Sequence, residues 1–232
     1  MLPLSDHNPS RTVPVVNYLL VAVNVLVFFW ELSLGPRIEH ELLLISFVPA
    51  RFWAAPFYPP NLLRILVSMF LHGGWLHLGG NMLYLWIFGD NVEDRLGHFK
   101  YVIFYLLCGL AATLSHAIAN PDSTLPSIGA SGAIAGVLGA YIVLFPKARV
   151  TTLIPIFVFI TIRELPAVLV LGLWFVLQFF VGVASIGASP DATGGVAVFA
   201  HIGGFVTGMA LVVLMGGLRR RSALPLPTDP GY

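Results

Sequence analysis

Charged side chains are scarce in this sequence of 232 residues, where they make up 10% of the total against 57% hydrophobic residues. Soluble domains carry about 25% charged residues, so the scarcity argues against an ordinary soluble domain. The net charge is only +1, so no strong field recruits nucleic acid or acidic partners. The three arginines at 219–221 follow an apolar segment, and a topology anchor explains them better than a nucleic-acid patch. Apolar runs of about 18 or more residues recur instead, which is typical of helices that cross a bilayer.

Cysteine is also nearly absent, and the single Cys108 cannot form an internal disulfide. No cysteine pattern with the spacing of metal ligands occurs, and the His-Glu-x-x-His pattern of zinc proteases is missing. We therefore expect no cofactor and no metal. The interiors of the predicted spans contain no carboxylate, which excludes the paired carboxylates of an intramembrane aspartic protease.

Six apolar segments predict an all-α polytopic membrane protein of one domain over residues 13–218. A short tail at residues 1–12 precedes this domain, and a proline-rich tail at 219–232 follows it. The predicted helices cover residues 13–34, 75–92, 99–119, 131–146, 166–186 and 196–218.

Two segments between these helices are too broken to span a membrane cleanly. Residues 35–74 mix charged residues with prolines and contain Trp53, Phe57 and Tyr58, types that prefer the bilayer interface. They predict a structured interfacial first loop. Residues 150–162 are apolar but short and interrupted by Pro155, which favours a re-entrant or interfacial segment.

The positive residues predict the orientation in the membrane. The connections 120–127 and 187–195 contain no Lys or Arg, and the first loop breaks the pattern mildly with Arg37, Arg51 and Arg64. We expect both termini to be cytoplasmic, in the inner (plasma) membrane of a bacterial or archaeal cell. The other connections and the C-terminal tail carry the remaining positive residues: Arg95, Lys100, Lys147, Arg149, Arg163 and residues 219–221.

Ser131 opens the fourth predicted helix within a run of small residues at 129–136. Gly129 permits a sharp turn into the helix, and free backbone N–H groups at a helix N-terminus favour negative charge. That position suits a serine whose attack on a carbonyl creates an oxyanion. The alternative is a small-residue packing helix with an N-cap serine.

His201 lies in the last apolar helix, where a histidine needs a partner or a cavity. Gly204 and Gly208 give that helix a smooth face for close packing. If this face meets the small-residue face at 129–136, Ser131 and His201 come within hydrogen-bond reach, and the histidine can act as general base. The alternative is a histidine bonded to a backbone carbonyl of a neighbouring helix.

His77 and Asn81 are four residues apart on the second predicted helix and therefore share one face. Their side-chain donors could form an oxyanion hole. The alternative is a hydrogen bond between helices that holds the bundle together.

Together these sites resemble the rhomboid family of intramembrane serine proteases, in order and spacing, over about residues 62–208. The Gly-x-Ser-x signature is matched at residues 129–132 and the histidine helix at 200–204. The remaining matches are His77 with Asn81, a Gly-x-x-x-Glu-x-x-x-Gly pattern at 89–97, Arg64 for the arginine of a Trp-Arg loop motif, and His72 for a frequent loop histidine.

The resemblance implies a six-helix bundle with a partly embedded first loop. It also implies that Ser131 is the nucleophile and His201 the general base, with an oxyanion hole made of the Ser131 backbone N–H and the His77 and Asn81 side chains. The expected partners are membrane lipid and single-span or polytopic membrane proteins, cut near small or helix-breaking residues. No nucleic-acid partner is expected.

Two positions depart from the family pattern. Leu63 stands where the loop motif has tryptophan, and Ala135 stands where some members carry an aromatic residue against the catalytic histidine. Another group must therefore orient His201.

Two other functions remain open at this stage. A non-catalytic binder of membrane clients would share the fold, although such proteins typically lack the serine or the histidine. A transporter or channel could use His77, Asn81 and His201 as a proton path, but the sequence shows neither paired intramembrane charges nor inverted repeats.

Overall fold

Apolar helices form most of the computed structural model, which describes residues 1–156, 159–185 and 197–218. Within these residues, six long helices coincide with the six predicted segments. Three short helices and one turn of 3-10 helix, Gly35–Arg37, fill the first loop. The helices are α1 Val15–Ser33, α2 Ile38–Ile45, α3 Pro49–Ala54, α4 Pro59–Ser68, α5 Trp75–Leu96, α6 His98–Ala119, α7 Ser131–Leu144, α8 Ala167–Ser185 and α9 Val198–Leu214.

The fold is mostly helical, as predicted, and three described helices are long and apolar enough to cross a membrane: α1, α6 and α8. Helices α7 and α9 are apolar but shorter. Helix α5 continues four residues beyond its predicted end at residue 92, to Leu96. The count of six spans therefore stays a prediction.

Helix α7 lies at the centre of the bundle. Its residues from Gly132 to Tyr141 are all buried, as expected for a helix that is apolar on every side. It packs against α5, α6, α8 and α9. The helix that begins at Ser131 is thus held on all sides, which fixes the position of that residue.

Glycines allow α7 and α9 to approach at backbone distance. A Cβ atom at Gly204 would lie 2.0 Å from the Gly132 carbonyl oxygen, and one at Gly208 would lie 2.0 Å from the Gly136 carbonyl oxygen. On the other helix, a Cβ atom at Gly139 would lie 2.1 Å from the Phe205 oxygen. The small-residue faces predicted from the sequence do meet.

The all-α prediction is wrong in one respect, since a three-stranded antiparallel sheet is present. Its strands are β1 Leu2–Asp6, β2 Arg149–Ile156 and β3 Phe159–Pro166, in the order β1-β2-β3. The segment expected to be a short N-terminal tail provides an edge strand, and the expected re-entrant or interfacial segment contributes the antiparallel pair of β2 and β3. Runs of Val, Ile and Thr in β2 and β3 favour extended backbone, and Pro3 is tolerated because β1 lies at an edge.

The first loop is structured and packs on α6. The Trp53 indole donates to the Ala117 carbonyl at 2.9 Å. Arg64 donates to the Leu44 carbonyl at 2.8 Å and to the Asn61 side chain at 2.7 Å, which ties α4 to the end of α2. These contacts anchor the loop although Leu63 replaces the family's tryptophan. Its placement in the membrane interface stays a prediction.

Glu93 caps the start of α1, where Pro14 provides no side-chain cap. Its buried carboxylate accepts the backbone N–H groups of Val16 at 3.0 Å and Asn17 at 2.7 Å. His98 Nδ1 lies 2.5 Å from the Oε1 oxygen of the same carboxylate. A carboxylate at a helix N-terminus satisfies donors that have no partner within the helix.

We expect Glu93→Gln to lower the free energy of unfolding by about 1–3 kcal/mol. The backbone N–H groups of Val16 and Asn17 donate to the two carboxylate oxygens of Glu93, whereas a glutamine amide has only one acceptor oxygen. Unfolding in mixed detergent micelles measures this change. Glu39→Gln, at an exposed position of α2, is the control and should have little effect. Equal stabilities of the two variants would contradict the capping role.

Candidate active site

Ser131 is the first residue of α7 and follows a tight turn. Gly129 has φ +127, a conformation that favours glycine. Its N–H donates to the Ser68 carbonyl at 2.8 Å. A Cβ atom at Gly129 would lie 2.8 Å from the His77 ring, so glycine is required for space as well as for conformation. The turn holds Ser131 beside the ring of His77.

Ser131 and His201 are directly hydrogen-bonded. The serine Oγ lies 2.8 Å from His201 Nε2. The two residues are 70 positions apart, and the glycine contact between α7 and α9 brings them together. A serine in contact with an unprotonated imidazole nitrogen can pass its proton to that nitrogen and attack a carbonyl.

Two side chains on α8 contact the His201 ring from its other side. The Gln178 Oε1 oxygen lies 3.1 Å from His201 Nδ1, and the Trp174 ring centroid lies 5.8 Å from that of the histidine. These two side chains contact the His201 ring in place of the aromatic residue that some family members carry at the position of Ala135. The sequence analysis missed both, although a glutamine inside an apolar span is itself a signal of a functional site.

His77 and Asn81 lie beside Ser131 and line the same cavity. Asn81 also contacts His72, whose Nε2 lies 3.0 Å from the Asn81 Nδ2. An amide nitrogen carries two N–H donors, so this bond leaves one for another acceptor. The structure therefore places every residue of the predicted site around one space.

His72 lies in the loop before α5 and supports Asn81. Burial, with a smaller effect of the neighbouring His77, lowers the pKa of His72 to about 4. Its ring is thus neutral at ordinary pH. Nδ1 lies 3.2 Å from the Phe70 carbonyl and donates to it, which leaves Nε2 free to accept from the Asn81 amide.

Glu31 holds the backbone at His72, where the peptide N–H donates to its carboxylate at 3.0 Å. This glutamate in α1 is fully buried. The expectation that no carboxylate lies inside a predicted span is wrong for this residue. The hydrogen bond from the loop explains why the cost of burying the carboxylate is tolerated near the end of the helix.

The site opens into a cavity of about 460 Å³. Its polar wall carries the site residues together with His116 and Asn120 of the α6 end, and its apolar wall includes Trp174, Phe199 and Leu125. The volume lies in the range of about 300–1,000 Å³ typical of ligand pockets. Among the described residues, no group of three His, Cys, Asp or Glu side chains could hold a metal ion.

A family model describes the same part of the chain. The Rhomboid domain model matches residues 59–218. This chain belongs to the rhomboid family. The matched region contains the whole candidate site, from His72 to His201, and the family is one of membrane proteases.

Individual rhomboids show moderate similarity. Rhomboid protein 1, mitochondrial, of Saccharomyces cerevisiae is 33% identical over 138 residues, which cover 57% of this chain and 37% of that protein. Rhomboid protease GluP of Bacillus subtilis is 32% identical over 133 residues, or 55% of this chain and 24% of that protein. Rhomboid-like protein 11, chloroplastic, of Arabidopsis thaliana is 31% identical over 162 residues, or 67% and 53%.

The matches span between a quarter and about half of these three rhomboids. Two of the three are named as mitochondrial or chloroplastic proteins. The rhomboid similarity thus supports a membrane protein and does not support a restriction to a bacterial or archaeal inner membrane.

Proposed function

We propose that this rhomboid is an intramembrane serine endopeptidase that cleaves transmembrane segments of other membrane proteins. The observation that carries the proposal is the 2.8 Å contact between Ser131 Oγ and His201 Nε2. It lies at the N-terminus of a buried helix and at the wall of a cavity large enough for a peptide. The family membership of the chain supports the same chemistry.

In the proposed mechanism, Ser131 attacks the carbonyl carbon of the scissile peptide bond while His201 Nε2 takes the hydroxyl proton. The carbonyl oxygen becomes an oxyanion. The Ser131 backbone N–H and the side chains of His77 and Asn81 stabilise this oxyanion. His201 then gives the proton to the departing amine, and a serine ester of the substrate remains. Water, activated by His201, hydrolyses the ester and restores Ser131.

The substrate must expose a carbonyl to be attacked, whereas a helix keeps its carbonyls in its own hydrogen bonds. Cleavage is therefore expected near small or helix-breaking residues, where a span unwinds at low cost. The resemblance further implies a small residue just before the cut. If both termini are cytoplasmic, Ser131 lies toward the extracytoplasmic side, and the cut falls near that end of the substrate.

Two measurements on the purified protein test the proposal. A fluorophosphonate probe should label Ser131, and a panel of single-span substrates should be cut at one position that mass spectrometry identifies. A chain that neither labels nor cleaves any member of the panel would be an inert binder of membrane clients, and the proposal would be rejected.

Removal of one donor from the proposed oxyanion hole should lower the rate of cleavage without abolishing it. We expect Asn81→Ala to lower kcat by about 10²–10³-fold with little change in KM, because its N–H group bonds the substrate oxygen most strongly in the transition state. The matched control is Asn24→Ala, which removes another buried asparagine, in α1 outside the cavity. A fully active Asn81→Ala variant would remove Asn81 from the proposed hole.

A further inference from the structure

Gln178 is the polar side chain in the middle of α8. Its sequence neighbours Leu177 and Phe179 are 58% and 47% exposed on the bundle surface, whereas Gln178 lines the cavity. An amide among apolar helices is costly unless its groups are hydrogen-bonded. Its Oε1 oxygen has the ring of His201 as a hydrogen-bond partner.

We infer that Gln178 is the positioning residue that holds His201 in the one tautomer able to accept the Ser131 proton. This inference rests on the proposed function of the Ser131–His201 pair. It names a third member of the site, carried on α8, for which neither the serine motif nor the histidine motif gives any indication.

The two ring nitrogens of His201 have two different partners. Nε2 lies 2.8 Å from Ser131 Oγ, and Nδ1 lies 3.1 Å from Gln178 Oε1. A neutral imidazole carries one N–H. The nitrogen that receives the serine proton must be bare, so the hydrogen must lie on Nδ1. A carbonyl oxygen beside Nδ1 can only accept a hydrogen bond, and it therefore favours this tautomer.

Trp174 lies one helical turn before Gln178 in α8 and also restricts the imidazole ring of His201. Residues four apart share a helix face, so Trp174 and Gln178 reach His201 together, and the two rings are tilted by 40°. The indole limits the tilt of the imidazole while the amide sets its rotation. Fixing a general base in this manner matters, because the wrong tautomer costs a serine protease about 10⁴-fold in kcat.

The amide also suits an apolar surrounding. A carboxylate in this place would bury a charge against α9, whereas a neutral amide does not. When His201 carries a positive charge during the reaction, the carbonyl dipole of Gln178 still points at Nδ1–H and stabilises the imidazolium. The residue thus keeps its role through the catalytic cycle without itself taking a proton.

A purely structural role is the competing explanation, in which the bond only ties α8 to α9. Three variants separate the two. Gln178→Met keeps the length of the side chain but has no strong acceptor, and Gln178→Glu keeps an acceptor oxygen. Leu177→Ala alters an exposed side chain on the same turn of α8 and serves as the control.

We expect Gln178→Met to lower kcat by about 10²-fold, short of the ~10⁴-fold cost of a fixed wrong tautomer, while KM changes less than about twofold. Fluorophosphonate labelling of Ser131 should slow in parallel. Gln178→Glu should recover part of the rate lost in Gln178→Met, because it restores the acceptor oxygen but adds a buried charge, and Leu177→Ala should match the parent protein. Full kcat in Gln178→Met would overturn the inference, as would a loss that appears only in KM or in stability.

The tautomer itself can be observed without any turnover. With ¹⁵N-labelled histidine, NMR should show His201 as the Nδ1–H form in the parent protein and as a mixture in Gln178→Met. An unchanged tautomer in the variant would reject the inference. A parent protein that shows the expected tautomer yet neither labels nor cleaves would instead reject the proposed function, so the two failures are distinguishable.

Discussion

Ser131→Ala is expected to reduce cleavage of a model transmembrane substrate by at least about 10³-fold, and His201→Ala by a similar factor. Alanine at 131 has no oxygen to form the ester, and alanine at 201 leaves the hydroxyl without the base that now lies 2.8 Å away. The double variant should be no worse than either single one, because nucleophile and base act as a unit. Initial rates in detergent and in proteoliposomes measure these effects.

Matched controls show whether any loss is specific to the site. Ser33→Ala changes a serine at the end of α1, and His40→Ala changes an exposed histidine in α2. Both should cleave at the parent rate. Labelling by the fluorophosphonate probe should disappear in Ser131→Ala and become very slow in His201→Ala. Substantial cleavage by Ser131→Ala would mean that another group is the nucleophile.

Gly208→Val is expected to have the largest effect on stability. The added Cβ would lie 2.0 Å from the Gly136 carbonyl oxygen, a backbone atom in the buried part of α7 that cannot turn aside as a side chain can. Relief requires α7 and α9 to separate. Over-packed cores typically lose about 1–3 kcal/mol, and a clash with backbone should exceed that range. Unfolding in mixed micelles should detect little folded protein.

Gly172→Ala provides the control for this prediction. Gly172 lies in α8, and a Cβ atom there would have no other atom within 4 Å. Since alanine is also the better helix former, the variant should be at least as stable as the parent protein. A Gly208→Val variant that unfolds like Gly172→Ala would show that the two helices are packed less tightly than the structure indicates.

The glycine contact between α7 and α9 should affect catalysis as well as stability. The distance between Ser131 and His201 depends on how closely α7 and α9 approach, since each helix contributes one of the two residues. A Gly204→Ala variant, whose Cβ atom would lie 2.0 Å from the Gly132 carbonyl oxygen, should therefore lose fluorophosphonate labelling at lower denaturant than the parent protein does. The loss of labelling with denaturant should follow the fraction of folded protein if α7 and α9 act as one packed unit.

Several features follow from the sequence because they depend on nearby residues. The lengths and limits of the apolar runs located the six long helices to within a few residues. The fourth of these helices begins at Ser131, as predicted, because glycine and small residues before it permit the turn. The i to i+4 spacing of His77 and Asn81 placed them on one face. Each of these inferences depends only on the geometry of residues that lie close together in the sequence.

The sheet could not be predicted in the same way. Strand β1 pairs with β2 about 150 residues later, with Leu2 opposite Leu153. A five-residue strand has little propensity of its own, and its pairing depends on where the helices between deliver the two segments. The tail and the pair of β2 and β3 therefore looked unrelated in the sequence.

The sequence alone determined the identities and spacing of the serine, histidine and asparagine motifs, and with them the family. The tertiary structure decided what surrounds them. It placed Gln178 and Trp174 against His201, and His72 against Asn81. These contacts depend on how α8 crosses α9 and how the loop before α5 folds back. The packing of whole helices sets such crossings, and no local pattern within the sequence records them.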